Sequence, residues 1–317
     1  MSIRMAASAP LIMRIMASSL SIAEKAGEVI RDIMSTGDLN VVDKGQKNFD
    51  PQTEADRKCQ QIIIGSLSKQ YKDLKIIGEE GAEDLSKIPQ ELIVDKIDSQ
   101  FLEQYKCPES FKDISENDLV VWVDPLDGTG EYVAGFVENV TVLIGIAFRD
   151  TSIAGIIHQP FFKCATTNKM GRTIWGLKEL GTSGYNKKSP PENKLILTTT
   201  RSHSNEIVNA TIEAIKADEV LKVGGCGFKV LQLLEGKAHC YVFASPGCKK
   251  WDTCSPEAIL EADGGILTDI LGKHYNYGPN VEYPNRTGVL ATAKGIDHES
   301  LLERIPIATK ESLIKKK

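Results

Sequence analysis

Three things are scarce in this chain of 317 residues: an excess of positive charge, long apolar runs, and cysteines in any paired pattern. The formal net charge is −5 and the isoelectric point lies near 5.7. Polymeric nucleic acid calls for a basic face, so it is excluded as a partner. An anionic substrate would have to be met by local cations, and metal ions serve without a basic surface. The longest apolar run, Val140 to Phe148, falls far short of the roughly 20 residues that span a bilayer, so no membrane contact is expected. Seven cysteines, an odd and scattered set without zinc-finger spacing, fit reduced thiols and a cytoplasmic location rather than a disulfide framework. Cys248 and Cys254 read as packed or partly exposed thiols. The Asn139, Asn209 and Asn285 sequons therefore carry no weight. There is no internal repeat and no low-complexity tract.

The length exceeds one ordinary core, so two subdomains are expected, residues 1–185 and 186–317, with the Pro- and Lys-containing segment 184–194 as linker. The segment Met1 to Ala23 carries Arg4 and Arg14 and no acidic residue, a composition faintly like a transit peptide. Leu11, Ile15, Ile22 and Ala26 recur at helical spacing, however, and favour one long amphipathic helix behind a short loose leader. A second helix is expected over 53–67, with Thr53 as N-cap and Asp56 in its first turn. Residues 82–117 read as a charged surface insertion with a short helix over 90–105. Strands follow over 120–123, 140–148, 153–158 and 172–176, an antiparallel or mixed sheet against the first two helices. Beyond the linker, strands (195–199, 220–223, 239–243) alternate with helices (205–217, 229–235) as an α/β unit.

The most informative stretch is Val121-Trp122-Val123-Asp124-Pro125-Leu126-Asp127-Gly128-Thr129. It reads as a strand stopped by Pro125, with Asp124 and Asp127 crowded on the following turn. Such carboxylates repel unless a hard divalent cation sits between them. Gly128 and Thr129 could present N–H groups and a hydroxyl to a phosphate if a helix starts at Glu131. The alternative is two ordinary turn caps. Two further segments bear on the choice. Gly78-Glu79-Glu80 again ends an apolar strand in carboxylates. Ser245-Pro246-Gly247-Cys248-Lys249-Lys250-Trp251-Asp252 precedes a helical pattern, with Asp252 as its natural N-cap. Taken singly, Asp252 reads as a cap rather than a ligand.

In this order, Gly78-Glu79-Glu80, Asp124-Pro125-Leu126-Asp127-Gly128-Thr129, and Trp251-Asp252 leading into 257–265 resemble the inositol monophosphatase superfamily of magnesium-dependent, lithium-inhibited phosphatases. Within it, the segments at 120–123, 140–147, 198–204 and 244–252 are most similar to the cytosolic 3′(2′),5′-bisphosphate nucleotidase branch. The resemblance implies a layered α-β-α-β-α fold of the mixed α+β and α/β kind. It implies two or three Mg²⁺ held by Glu79, Asp124, the Leu126 carbonyl, Asp127 and Asp252, with Asp124 bridging two of them, and inhibition by Li⁺. It implies a proton relay from water through Thr129 to Asp56, although a first-turn Asp56 could equally serve the helix dipole. Substrate contacts are implied at Thr129, Thr200, His203, Gly225, Lys229 and Asp252. The residues themselves leave Ser202 and Ser204 as caps, His203 as a surface residue and Lys249-Lys250 as a solvated pair.

The expected substrates are small: adenosine 3′,5′-bisphosphate, its sulfated analogue PAPS, and inositol phosphates, handled by a monomer. An inositol 1-phosphatase is the nearest rival, and a binding protein that senses metal or nucleotide is the rival of another class. Two departures from the family pattern stand out: Gly130 where a larger side chain is usual, and Ser255 and Asp263 in places usually small and apolar, Asp263 without an obvious partner.

Overall fold

The chain is described by a computed structural model covering residues 8–45, 50–164 and 169–315; most of the expected leader, residues 1–7, lies outside these. Helix α1 (Leu11–Thr36) buries the stripe that includes Ile12, Ile15, Ile22 and Ala26 and ends where Gly37 turns left-handed at φ 76°, a conformation glycine adopts without a Cβ clash. Strands β1 (Val42–Asp43) and β2 (Pro51–Gln52) form a short antiparallel ribbon that leads into α2 (Glu54–Gln70). Helix α2 starts on a capping box between Thr53 and Asp56.

A six-stranded sheet then runs in chain order: β3 (Lys75–Gly78), β4 (Leu119–Asp127), β5 (Thr141–Phe148), β6 (Thr151–Lys163), β7 (Met170–Leu177) and β8 (Gly181–Ser183). Only the β3–β4 pair is parallel. The second sheet has the order β10-β9-β11-β13-β12, formed by β9 (Ile196–Thr200), β10 (Glu219–Val223), β11 (Cys240–Phe243), β12 (Ile266–Thr268) and β13 (Val289–Thr292). Helices α1 and α2 cover one face of the first sheet. Helices α6 (Cys226–Leu234) and α7 (Lys250–Asp263) lie between the two sheets, where Leu143, Ile157 and Ile174 meet Val230, Leu231 and Ile259. Helices α5 (Glu206–Ile215), α8 (His298–Arg304) and α9 (Ile307–Ile314) close the far side over Leu197, Val242 and Leu290. The result is the layered α-β-α-β-α arrangement.

Several local expectations are corrected. The helix over 90–105 reduces to a single 3₁₀ turn and a short α3 (Ser99–Gln104). The reason is tertiary: Val94 is held extended on α2, its N–H donating to Ser66 Oγ at 2.9 Å and its carbonyl accepting from Gln70 Nε2 at 2.9 Å. Asp263 does have partners: its Oδ1 accepts from Tyr185 Oη at 2.7 Å and pairs with Lys187. Ser255 is equally accommodated, its hydroxyl donating to the Ile156 carbonyl at 2.8 Å. Cys248 and Cys254 are both buried free thiols. Among the described residues no helix is long and apolar enough to cross a membrane.

One feature of the first sheet decides where α7 can lie. Gly145, Gly155 and Gly176 are in register across β5, β6 and β7, and together they form a backbone trough under that helix. A Cβ on Gly155 would come within 2.4 Å of the Ser255 carbonyl oxygen, and one on Gly176 within 2.8 Å of Ile259 Cα. Both obstacles are backbone and cannot rotate away. Gly155→Val is therefore expected to destabilise the fold by about 3 kcal/mol or to prevent it, the upper range for overpacking, as read by denaturant unfolding; a cost below about 1 kcal/mol would contradict the close approach.

Candidate active site

Strand β4 carries the acidic motif, and Pro125 does not stop it. Asp124 pairs with Leu143 and Asp127 with Thr141, so β4 holds one residue more than β5 over this step. Proline has no N–H to give to the ladder and is tolerated at such a bulge. The extra residue also resets the alternation of faces, and Asp124 and Asp127 end up on the same side.

Helix α7 adds Asp252, and ligand atoms of Asp124, Asp127 and Asp252 lie within 4.8 Å of one another. Asp252 is not the N-cap of α7. Lys249 occupies that position, and Asp252 stands at N3 of the box, its Oδ2 accepting the Lys249 N–H at 2.5 Å. Asp124 Oδ1 accepts the Leu126 N–H at 3.0 Å. Asp127 is the most firmly held of the three. Its Oδ1 accepts from Cys226 N at 2.8 Å, and its Oδ2 from Gly227 N at 2.8 Å and Thr141 Oγ1 at 2.7 Å. It thus caps the N-terminus of α6 from another strand, which is why that helix starts at Cys226 and not at Lys229.

Glu79 stands just outside this group. Its N–H bonds to the Val123 carbonyl at 3.1 Å, beside the motif. Burial raises its pKa to about 7, with the Asp252 charge adding and Lys44 opposing. Burial also pushes Asp124 well above the carboxylate range, with Glu79 and Asp127 adding to it. Asp252 is raised to about 6 by burial, against the pull of Lys249. Asp127 is raised by burial and held down by Thr141 and Lys229. Four carboxylates crowded together, Asp124 and Asp127 buried and Glu79 and Asp252 half-buried, resist being ionised together. An oxygen-only donor set of this kind suits a hard divalent cation and offers nothing to a soft one.

Beside the cluster, Gly128 turns left-handed at φ 92° to open α4 (Thr129–Val133). Thr129 Oγ1 lies 2.9 Å from Asp56 Oδ1 and 3.1 Å from the Leu126 carbonyl. Asp56 divides its two oxygens: Oδ2 accepts from the Thr53 N–H at 2.7 Å and hydroxyl at 2.5 Å, while Oδ1 faces Thr129. Capping and contact with Thr129, rivals in the sequence, coexist on one carboxylate. Burial lifts Asp56 to about 6 against those hydrogen bonds, with Glu80 adding to the rise.

The remaining expected residues gather at the carboxyl ends of β9 and β10, which run parallel while β11 continues on the other side of β9. This is a topological switch point, where open sheets form a crevice. Thr200 Oγ1 accepts the His203 N–H at 3.2 Å on an exposed loop. Gly225 turns at φ 67°, and a Cβ there would stand 2.9 Å from Asp127 Oδ2 and 2.8 Å from the Asn139 carbonyl. Its glycine character is thus required by the acidic cluster. Lys229 is buried, donating to the Gly225 carbonyl at 3.0 Å and standing 5.3 Å from the centre of the Tyr241 ring.

Two residues escaped the sequence. Thr141, first residue of β5, fixes Asp127; strand pairing alone brings it there. Lys44, just after β1, lies 2.8 Å from Glu80 Oε1 and 3.3 Å from Glu79 Oε1. Burial works against its charge, but those two carboxylates outweigh it and hold its pKa well above the usual lysine range. A second acidic group, Glu257, Glu261 and His274, is balanced by its own partners: Tyr277 donates to Glu257 at 2.5 Å and Lys178 pairs with Glu261 at 2.7 Å.

A model of the inositol monophosphatase family matches residues 13–310. The chain belongs to the inositol monophosphatase family. It is 49% identical over 312 residues to 3′(2′),5′-bisphosphate nucleotidase 1 of Homo sapiens, a match covering 98% of this chain and all of that one. It is 41% identical to the protein of the same name from Dictyostelium discoideum, over 89% of this chain and 93% of the relative. Among solved structures it is similar to the extragenic suppressor protein suhB from Bartonella henselae, with TM-score 0.65 at 19% identity over 93% of this chain and 98% of that one. CysQ from Bacteroides thetaiotaomicron, described as a bacterial member of the same family, gives TM-score 0.63 at 20% identity, over 89% and 97% of the two chains. At such identities these two structures speak for the fold alone.

Proposed function

We propose that this family member is a Mg²⁺-dependent phosphatase that removes the 3′-phosphate of adenosine 3′,5′-bisphosphate to give AMP, and that of PAPS to give adenosine 5′-phosphosulfate. The 1-phosphate of inositol polyphosphates is a further substrate of the same centre. The observation that carries the reading is the Thr129–Asp56 contact at 2.9 Å, set directly against the three-aspartate cluster: a protein that only bound metal or nucleotide would have no use for a buried base with a hydroxyl in front of it. The relatives named above as 3′(2′),5′-bisphosphate nucleotidases support the choice of substrate.

Asp124, Asp127 and Asp252, with Glu79 and the Leu126 carbonyl, would hold Mg²⁺. Bound there, the metal would polarise the phosphoryl group and acidify a water. The chain's own part is to hold and move protons. Thr129 Oγ1 accepts a hydrogen bond from the attacking water and donates its own proton to Asp56 Oδ1, whose raised pKa suits a base working near neutrality. Asp127, held by three donors that leave one acceptor site on Oδ1 for a metal, stays fixed during turnover. Thr200, His203, Gly225 and Lys229 border the crevice where the nucleotide would lie, and Asp252 reaches the same crevice from α7.

Linkage gives a test of the metal assignment that does not use activity. Burial raises Glu79 to about 7 and Asp252 to about 6, above ordinary carboxylates. The sign is that of raised acids: their contribution to stability is full below the unfolded pKa and is lost as pH rises through 6 to 7. Bound Mg²⁺ would offset the repulsion that appears as those protons are lost. The rise in unfolding temperature on adding Mg²⁺ to chelator-treated protein is therefore expected to be several degrees at about pH 8 and to shrink towards zero at about pH 5.5. An equal rise at both values would remove the carboxylates from the metal site.

A further inference from the structure

Arg201 follows Thr200 at the end of β9, and its backbone N–H bonds to the Val223 carbonyl at 3.2 Å, just before the Gly224–Gly227 turn. Its side chain is fixed on two sides. Glu131, in α4 two residues beyond Thr129, takes Nε at 3.2 Å and Nη2 at 2.9 Å. Its guanidinium carbon sits over the Phe136 ring, 3.8 Å from the ring centre. Glu131 is itself anchored: it is 3% exposed, accepts from Asn139 Nδ2 at 3.0 Å, and packs so tightly on Gly224 that a Cβ there would lie 2.0 Å from its Cγ. Arg201 nevertheless leaves 34% of its side chain open to solvent.

With one edge on a carboxylate and one face on an aromatic ring, the opposite face is what the guanidinium has left to offer a ligand. Arg201 is next to Thr200 in the chain, and Glu131, which grips it, packs against Gly224, the neighbour of the Gly225 that closely approaches Asp127. A planar cation held still with a bare face is a surface on which a flat, electron-rich ring stacks. It offers little to a puckered cyclitol, which has no π-face. Glu131 cancels most of the net charge, so the pair is poorly suited to anchoring a second phosphate.

We propose that Arg201, held by Glu131 and backed by Phe136, is the platform on which the nucleobase of the substrate stacks, and thereby a residue that separates nucleotide from inositol substrates. This rests on the nucleotidase reading. Replacing arginine by lysine keeps the charge but removes the plane and the two-point grip. Phe136→Ala keeps the ion pair and removes the backing.

The test compares adenosine 3′,5′-bisphosphate with its base-free analogue, tetrahydrofuran 3,5-bisphosphate, by kcat/KM in the wild type, Arg201→Lys and Phe136→Ala. Stacking on one base is worth about tenfold, so the wild type should prefer the nucleotide by about that factor. Arg201→Lys should bring the ratio near one, and Phe136→Ala should lower it by about threefold. A wild type that turns over the nucleotide without preferring it overturns the platform and leaves the nucleotidase reading standing. Loss on both compounds in Arg201→Lys with the ratio preserved makes the residue a structural strut and also overturns the platform. No turnover of the nucleotide, with inositol 1,4-bisphosphate hydrolysed, overturns the nucleotidase reading and the platform with it.

Discussion

Asp124→Asn should lower kcat by about a thousandfold or more while leaving the metal-free protein at least as stable as the parent. The two effects share one cause. Asp124 lies at the centre of the acidic group, fully buried, and both Glu79 and Asp127 push its proton affinity up. Asparagine has the same shape, and its oxygen can still accept the Leu126 N–H; what is lost is a negative charge that the fold tolerates only with a cation. If Asp124 holds Mg²⁺ as proposed, losing its charge would forfeit several kcal/mol of transition-state stabilisation, and each ~1.4 kcal/mol is tenfold in rate. In chelator the substitution removes repulsion, so the unfolding temperature should stay level or rise by a few degrees. Asp127→Asn should behave differently. Asp127 accepts three hydrogen bonds and caps α6, and an amide NH₂ set against those donors would leave buried groups unpaired. Its activity should fall equally far, and its stability by about 2 kcal/mol as well. Unfolding curves in chelator, beside single-turnover rates in Mg²⁺, separate the two variants; comparable stability losses in both would mean that Asp124 is a structural residue.

Thr129→Val should cost about a hundredfold to ten-thousandfold in kcat, the usual range for a positioned proton acceptor, with little change in KM. Valine matches threonine in size and removes only the hydroxyl that, in the proposed relay, would join the attacking water to Asp56 Oδ1. Thr129→Ser should recover most of the rate, because the hydroxyl at 2.9 Å from the carboxylate is what matters. Asp56→Asn is less clean, since Asp56 Oδ2 also closes the capping box of α2 with Thr53. A Val variant within threefold of wild type, or a Ser variant as slow as Val, would break the relay.

Much of this site could be read from the sequence because its chemistry is concentrated in short segments. The Asp-Pro-Leu-Asp-Gly-Thr loop, Glu79 at the end of a strand and Asp252 at the start of a helix all carry local signals, and so does Thr53 with Asp56 at the start of α2. The parts that escaped depend on residues far apart in the chain. Thr141 reaches Asp127 only because β5 pairs with β4. Lys44 reaches Glu79 and Glu80 through the β1–β2 ribbon. The trough of Gly145, Gly155 and Gly176 appears only once three strands are in register, and Asp263 finds Tyr185 across 78 positions. Local rules also failed where tertiary contacts overrode them. Pro125 makes a bulge instead of ending β4, because the strand continues to Asp127 after the extra residue. The 90–105 segment gives up its helix because α2 holds Val94 extended.

The measurement that bears most directly on the whole account is phosphate release from adenosine 3′,5′-bisphosphate by the purified protein, with and without Mg²⁺, beside inositol 1,4-bisphosphate at the same concentration and with the nucleoside product identified. The account predicts Mg²⁺-dependent formation of AMP as the dominant reaction, abolished by Asp124→Asn. Dominant release from the inositol compound, or no release from either, would contradict it.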